Sequence, residues 1–348
     1  MNETSRDSCD RAPGAGEPPR VAARDLGEPG GLRGEAASPA RGRRGRDAAW
    51  RRLYSFTPKE LIVGGFRLRY LDEGRGPPVL CVHGNPTWSF YWRRLVLSLR
   101  EAHRVVAPDQ IGCGGSEKPS RRDYPYTLAR RVEDLCELIR RLDLRGVTLV
   151  GHDWGGAIGL GAAVAMPDRF DRLVLMNTGA FRDSHCPWRI RVCRMPMFGR
   201  LAVQGLNLFA RAALRMATAR PGGLDPAVRA GLLAPYDRWS HRLAIHQFVL
   251  DIPLRPGHPS WAKLGEIETG LSRLAGRPTL LIWGMRDWCF TPHFLDRFRE
   301  FFPRAEVCRL DAAGHYVLED APDEVVERVR RFLRSDGQPS GAAGRESQ

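Results

Sequence analysis

The chain has 348 residues, a net charge of +14 and a hydrophobic fraction of 43%. That size allows one large domain or two ordinary ones with an ample core, and no apolar run reaches the roughly 18 residues of a membrane span. Eight cysteines are scattered without a CxxC pair, which argues for reduced packing thiols and against a disulfide framework or zinc site.

Residues 1–50 are rich in Gly, Pro, Ala, Arg and Glu, with almost no bulky apolar residue before Trp50. Such a segment cannot bury enough surface to offset its ordering entropy, so a disordered tail is expected there and again over 337–348. The N-terminus also lacks the apolar stretch of a secretory signal, which makes a cytoplasmic location the expectation. Order is expected from about Tyr54. Leu61–Val63 and Phe66–Asp72 read as a hairpin turned at Gly64-Gly65. Val79–Val82 and Val105–Ala107 follow as short buried strands. Leu128, Val132, Leu135, Leu138 and Ile139 share one face of a helix over 127–142. A strand over 147–150, a helix over 155–166 and a strand over 173–176 come next. After a long insertion, a strand over 279–283, a helix over 292–301, a strand over 306–310 and a final helix opened by Pro322 complete the chain. Alternating strands and helices imply a mostly parallel sheet covered on both faces.

The insertion over 179–276 breaks that rhythm. It is apolar, basic and strandless, as a helical cap between two sheet strands would be, leaving 51–178 and 277–336 as the core. From Phe181 to Ala275 it holds 14 Arg or Lys against 6 Asp or Glu, more than half of the chain's excess charge. Nearly all of the basic residues are arginine, which genomic base composition explains most simply. A basic cap suits an acidic protein, an anionic membrane or a thioester carrier. Without aromatic-interleaved motifs, nucleic acid is not an expected partner.

Thr148-Leu-Val-Gly-His-Asp-Trp-Gly-Gly-Ala157 presents Asp153 on a tight turn between strand and helix, where serine is the usual nucleophile. A carboxylate there makes esters of itself. Such a nucleophile needs a base and a group that orients the base, and the chain order nucleophile, acid, histidine selects Asp287 and His315. Asn177-Thr178, at the other usual place for the acid, supplies no carboxylate. The backbone N–H groups of Asn85 and Trp154 are candidates for an oxyanion hole, and their side chains add an amide and an indole donor. His83, His152 and Asp109 read as structural turn and loop residues.

Gly151-His-Asp-Trp-Gly-Gly156 and His83-Gly-Asn-Pro-Thr-Trp88 resemble the nucleophile and halide-holding motifs of the haloalkane dehalogenases, in their third subgroup, within the α/β-hydrolase superfamily. The resemblance covers roughly residues 54–335. It implies the α/β-hydrolase fold: an eight-stranded, mostly parallel sheet with helices on both faces and an inserted helical cap. It makes Asp153 the nucleophile, His315 the base, Asp287 its partner, and Asn85 with Trp154 the anion-holding pair. Pro108-Asp-Gln-Ile-Gly-Cys-Gly-Gly-Ser-Glu-Lys-Pro119, Trp283-Gly-Met-Arg-Asp-Trp-Cys-Phe290, Asp311-Ala-Ala-Gly-His-Tyr-Val-Leu-Glu-Asp320 and Arg189-Ile-Arg-Val-Cys-Arg194 look more like the β-lactone decarboxylases of bacterial long-chain olefin biosynthesis. That likeness implies a cis-β-lactone substrate with two alkyl chains, a cis-alkene product, and an assembly with other enzymes of the pathway. It requires no metal or organic cofactor.

Two alkyl chains need an apolar slot. Met195, Met197, Phe198, Leu206, Leu208, Phe209, Leu214 and Met216 of the cap are available for its wall, though at helical spacing they read first as core. Trp88, Phe198, Phe209 and Tyr236 are the candidate pocket residues. An epoxide hydrolase also uses an elbow aspartate but activates its substrate with two cap tyrosines, and the insertion has only Tyr236. A haloalkane dehalogenase shares every core catalytic residue and remains the main alternative. A binding protein on the same scaffold is the alternative from another class.

Overall fold

The computed structural model describes residues 49–335, so most of the expected N-terminal tail and all of 337–348 lie outside it. Order begins slightly earlier than expected: Trp50 already packs edge-on against Trp88 and Phe90.

Eight strands form one sheet: β1 Lys59–Val63, β2 Phe66–Glu73, β3 Pro78–Val82, β4 Arg104–Pro108, β5 Val147–Asp153, β6 Phe170–Thr178, β7 Thr279–Gly284 and β8 Glu306–Leu310. Their spatial order is β1-β2-β4-β3-β5-β6-β7-β8. Only β2 runs antiparallel, pairing with β1 on one side and β4 on the other. The central strands β3, β5, β6 and β7 are almost continuously buried, as expected of parallel strands covered on both faces.

The helices α1 Arg93–Leu99, α2 Leu128–Arg141 and α3 Trp154–Ala165 belong to the first half of the core. The insertion supplies α4 Trp188–Cys193, α5 Leu208–Met216, α6 Pro226–Leu233, α7 Leu243–Leu250 and α8 Pro259–Gly270. The chain closes with α9 Pro292–Phe301, α10 Val317–Asp320 and α11 Pro322–Arg334. α1 and α10 have no counterpart among the expected elements; α10 is a single turn, too short to show a period.

Within the expected cap of 179–276, the last helix has different neighbours from the others. α8 packs on α2 and α3, as a layer of the core. The reason lies in α3, whose small residues let neighbours approach. A side chain at Gly161 would meet Val132 of α2 and Ile267 of α8, so both helices close onto α3 there. The helices α4 to α7 and their loops make up the remainder of the insertion.

A candidate active site at the strand-to-helix elbow

β5 runs directly into α3, and Asp153 at the junction has φ 52° and ψ −130°. A side chain other than glycine rarely adopts this left-handed backbone, which costs on the order of 1–3 kcal/mol. The close packing around the turn holds it there. A Cβ on Gly84 would collide with the Asp153 carboxylate, and one on Gly155 with the Val82 carbonyl. The strand end is thus pressed against the β3 loop, and the carboxylate projects from the top of the sheet.

Asp153 Oδ1 accepts a 2.6 Å hydrogen bond from the Asn85 backbone N–H, and the Trp154 backbone N–H also serves the carboxylate. The two donors expected to hold a substrate oxyanion therefore grip the aspartate itself. The other carboxylate oxygen, Oδ2, lies 3.7 Å from His315 Nε2. On the far side of the imidazole, His315 Nδ1 donates to Asp287 Oδ2 at 2.7 Å. Asp287 is fully enclosed, and its other oxygen accepts from the Cys289 N–H at 2.7 Å. The structure thus brings the three residues Asp153, His315 and Asp287 into one chain of contacts.

Burial raises the Asp153 carboxyl above its ordinary value, with His315 and the Asn85 and Trp154 N–H groups pulling the other way. Burial would lower His315, but Asp287 and Asp153 outweigh it and hold the imidazole above its usual value. A cation between two carboxylates stays charged more readily than a free histidine.

Sequence reasoning passed over two residues here. β6 carries an irregularity opposite the elbow, where the register steps from Met176 beside His152 to Thr178 beside Asp153. The step turns Asn177, at φ 32°, towards β7. Its Nδ2 donates to Asp287 Oδ2 at 2.9 Å, and its Oδ1 accepts from Gly284 N–H at 2.8 Å. Asn177 supplies no charge, yet it orients the carboxylate that faces His315. Thr178 Oγ1 donates to the Asp153 backbone carbonyl. No sequence pattern marks such a bulge.

His83 and His152 are structural, as their turn motifs implied. His83 Nδ1 donates to Gly84 O and Nε2 accepts from Gln110 N–H, which fixes a neutral ring pushed down by burial to about 4. His152 Nε2 donates to His315 O at 2.9 Å while its ring stacks on Tyr91, so it braces the histidine loop. Asp109 accepts from Ser89 and Gly115 N–H groups and ties its loop together.

Above Asp153 lies a cavity of about 370 Å³, within the usual range for a small-molecule site. Asn85, Trp154 and His315 line its base, and Phe198 and Phe209 of the cap line its walls. The Trp154 indole N–H has no partner among the described residues and is available to a ligand. Asn85 Nδ2 instead donates to Ile245 O at 3.2 Å, and its Oδ1 is buried without a partner. Cys186, Cys193 and Cys289 also line the cavity.

Two candidate pocket residues are elsewhere. Trp88 Nε1 donates to Gly231 O at 3.0 Å and Tyr236 OH to Thr87 O at 3.1 Å. A buried indole or phenol needs an acceptor, and both found theirs across the seam between core and cap. They fasten the cap and do not line the cavity. Of the other cap candidates, Leu208 and Met216 reach the cavity, Leu214 is buried in the core, and Met195, Met197 and Leu206 face outward.

An elbow carboxylate, an acid-supported histidine and a capped parallel sheet together define an α/β hydrolase. The family model described as "Alpha/beta hydrolase family" matches residues 79–328, and the chain belongs to that family. It is 42% identical to a cis-3-alkyl-4-alkyloxetan-2-one decarboxylase of Shewanella oneidensis, covering 81% of this chain and 89% of the relative. A protein of the same description from Xanthomonas campestris pv. campestris is 41% identical over 80% of this chain and 97% of its own. Haloalkane dehalogenase 2 of Mycobacterium tuberculosis is 32% identical over 80% of this chain and 95% of its own. Among solved structures, the haloalkane dehalogenase DatA of Agrobacterium tumefaciens has a TM-score of 0.71 at 27% identity, covering 80% of this chain and 96% of that one.

Proposed function

We propose that the chain is a β-lactone decarboxylase, converting cis-3,4-dialkyl-β-lactones into cis-alkenes and carbon dioxide. One observation carries the choice of substrate: identity to the oxetan-2-one decarboxylases is 42%, against 32% to the dehalogenase. The geometry supports the chemistry, since the Asp153 carboxylate, with His315 beside its Oδ2, faces a largely apolar cavity.

In this reading Asp153 Oδ2 attacks the ring carbon that bears the ring oxygen. A C–O bond to Asp153 forms as the ring C–O bond breaks, and the ring oxygen becomes part of a carboxylate on the neighbouring carbon. The bond from that carbon to the carboxylate then breaks. Its electron pair forms the double bond as the ester C–O bond opens. Carbon dioxide leaves and the Asp153 carboxylate is restored, with no oxidant, reductant or water consumed. Inversion during attack followed by anti elimination keeps the two chains cis.

The Trp154 indole N–H, with the Asn85 amide once it releases Ile245, donates to the new carboxylate. The His315 imidazolium offsets its charge. Phe198 and Phe209 accommodate the alkyl chains. We further infer a place in long-chain olefin biosynthesis, in the cytoplasm and beside the other enzymes of that pathway. No described helix is long and apolar enough to cross a membrane.

A haloalkane dehalogenase is the second reading, favoured by the fold match to DatA. There the same attack expels halide, and water deprotonated by His315 hydrolyses the ester. Turnover of a cis-3,4-dialkyl-β-lactone and of a 1-bromoalkane of similar chain length separates the two. Alkene formation should exceed bromide release by orders of magnitude. Bromide release at a matching rate would overturn the decarboxylase assignment.

A further inference from the structure

Large apolar side chains are unevenly exposed in this protein. Eight of the twelve exposed ones among the described residues fall between Trp188 and Met216. Single exposed apolar residues are ordinary; a run of them on one element group is not. Met197 is 86% exposed, and it stands at the tip of the loop between α4 and a turn of π-helix over Arg200–Gly205. Its φ of 58° is one that a side chain adopts at a cost. Met195 and Phe198 flank it, and Leu201 and Leu206 continue the outward face.

The charge along this stretch of chain has a single sign. From Ser184 to Leu224 the chain has seven arginines and no Asp or Glu. Arg189, Arg191, Arg200, Arg211, Arg215 and Arg220 are exposed, and none forms an ion pair with a described carboxylate. Arg189 lies over Trp188 at 5.5 Å and Arg200 over Trp239 at 5.4 Å, so aromatic and cationic groups alternate on the same surface. The face also joins the cavity, because Phe198, Leu208 and Met216 are both exposed and cavity-lining.

We propose that the outer face of α4, the Met195–Phe198 loop, the π-helical turn and α5 docks on an anionic lipid surface. The mouth of the cavity then lies against the acyl chains. A protruding apolar tip ringed by unpaired arginines matches an interfacial lipid site, where apolar groups enter the acyl boundary and cations meet headgroup charge. A protein partner of this charge would have to be acidic and concave around Met197. The docking itself does not depend on the lactone assignment. The benefit to catalysis does rest on it: a substrate with two alkyl chains would pass from bilayer to cavity without crossing water.

The test is flotation of the full chain with phosphatidylcholine vesicles, with and without phosphatidylglycerol, at low and high salt. Binding to the phosphatidylglycerol vesicles, weakened by salt, is expected. The double substitutions Met195→Ser/Met197→Ser and Arg200→Glu/Arg211→Glu should each lower partitioning by roughly tenfold or more. All four side chains point outward and none lines the cavity. No binding at low salt overturns the proposal and leaves a protein as the occupant. The N-terminal tail carries a basic run, Arg41-Gly-Arg-Arg-Gly-Arg46; binding kept by both doubles and lost only when its four arginines are replaced overturns the proposal too. Turnover of a short-chain, water-soluble lactone is measured alongside. Its absence with vesicle binding intact would remove the decarboxylase assignment and leave the docking face standing.

Discussion

The elbow and the cap solve opposite problems with opposite materials. Around Asp153 backbone N–H groups hold the carboxylate, glycines permit backbone contact, and the strained turn is closely packed. The cap loop around Met197 carries its strain at an exposed tip, leaves arginines unpaired and turns apolar side chains to the outside. On the proposed reading, the close-packed core performs the chemistry, and the cap surface governs how substrate reaches it. Across the seam between them, Asn85, Trp88 and Tyr236 each send one donor.

That contrast can be broken most severely from the core side. Asp287→Ala should lower kcat by about 10⁴-fold, by the precedent of triad acids, with KM little changed; a rise in KM alone would mean that Asp287 acts on binding. Next in size is the buried pair in which Arg93 grips Glu319 through two hydrogen bonds of 2.6 and 2.8 Å. It joins α1 to α10, just after His315. Glu319→Ala leaves an enclosed guanidinium uncompensated and should cost about 3–5 kcal/mol in urea unfolding. Loss below about 1 kcal/mol would show that water relieves the charge.

From the cap side the effects should be smaller and selective. Phe209→Ala removes one wall and should lower kcat/KM for a long-chain lactone by roughly 10–100-fold, corresponding to ~1–3 kcal/mol of lost apolar contact. A short-chain lactone should be affected far less; an equal loss for both would make Phe209 a structural support. The smallest effect is that of pH. The attacking carboxylate must be ionised, so turnover is present above the Asp153 pKa and is lost as pH falls through it. Because burial raises that pKa, the acid limb of kcat/KM should lie above the ordinary carboxylate value of 3.8. A limb at or below 3.8 would contradict the buried site.

The sequence made the core legible because its constraints are local and repetitive. Buried strands read as apolar runs, and Gly151, Asp153 and Gly155 mark the turn within five residues. Chain order leaves few places for an acid and a histidine, and Asp287 and His315 occupy two of them, in contact with each other. Asn177 escaped because its role comes from a register step in β6, a relation between two strands that neither sequence reveals. Trp88 and Tyr236 were misplaced for a related reason: an aromatic near a site looks the same whether its polar tip lines a cavity or bridges a seam. In the cap, helical spacing made Met195, Met197 and Leu206 look like core. Spacing tells which side chains share a face and says nothing of what that face meets. The helix α8 was assigned to the cap by its place in the chain, but its packing partners lie in the core.

The most direct measurement is the yield of cis-alkene, by gas chromatography, from a cis-3,4-dialkyl-β-lactone incubated with the wild-type chain and with Asp153→Ala. The wild type should convert the lactone to cis-alkene over many turnovers, while the variant, with its fold verified by circular dichroism, should fall by about 10⁶-fold to background. Alkene from both proteins at similar rates, or from neither at high enzyme concentration, would contradict the account of the elbow aspartate as the group that opens the lactone.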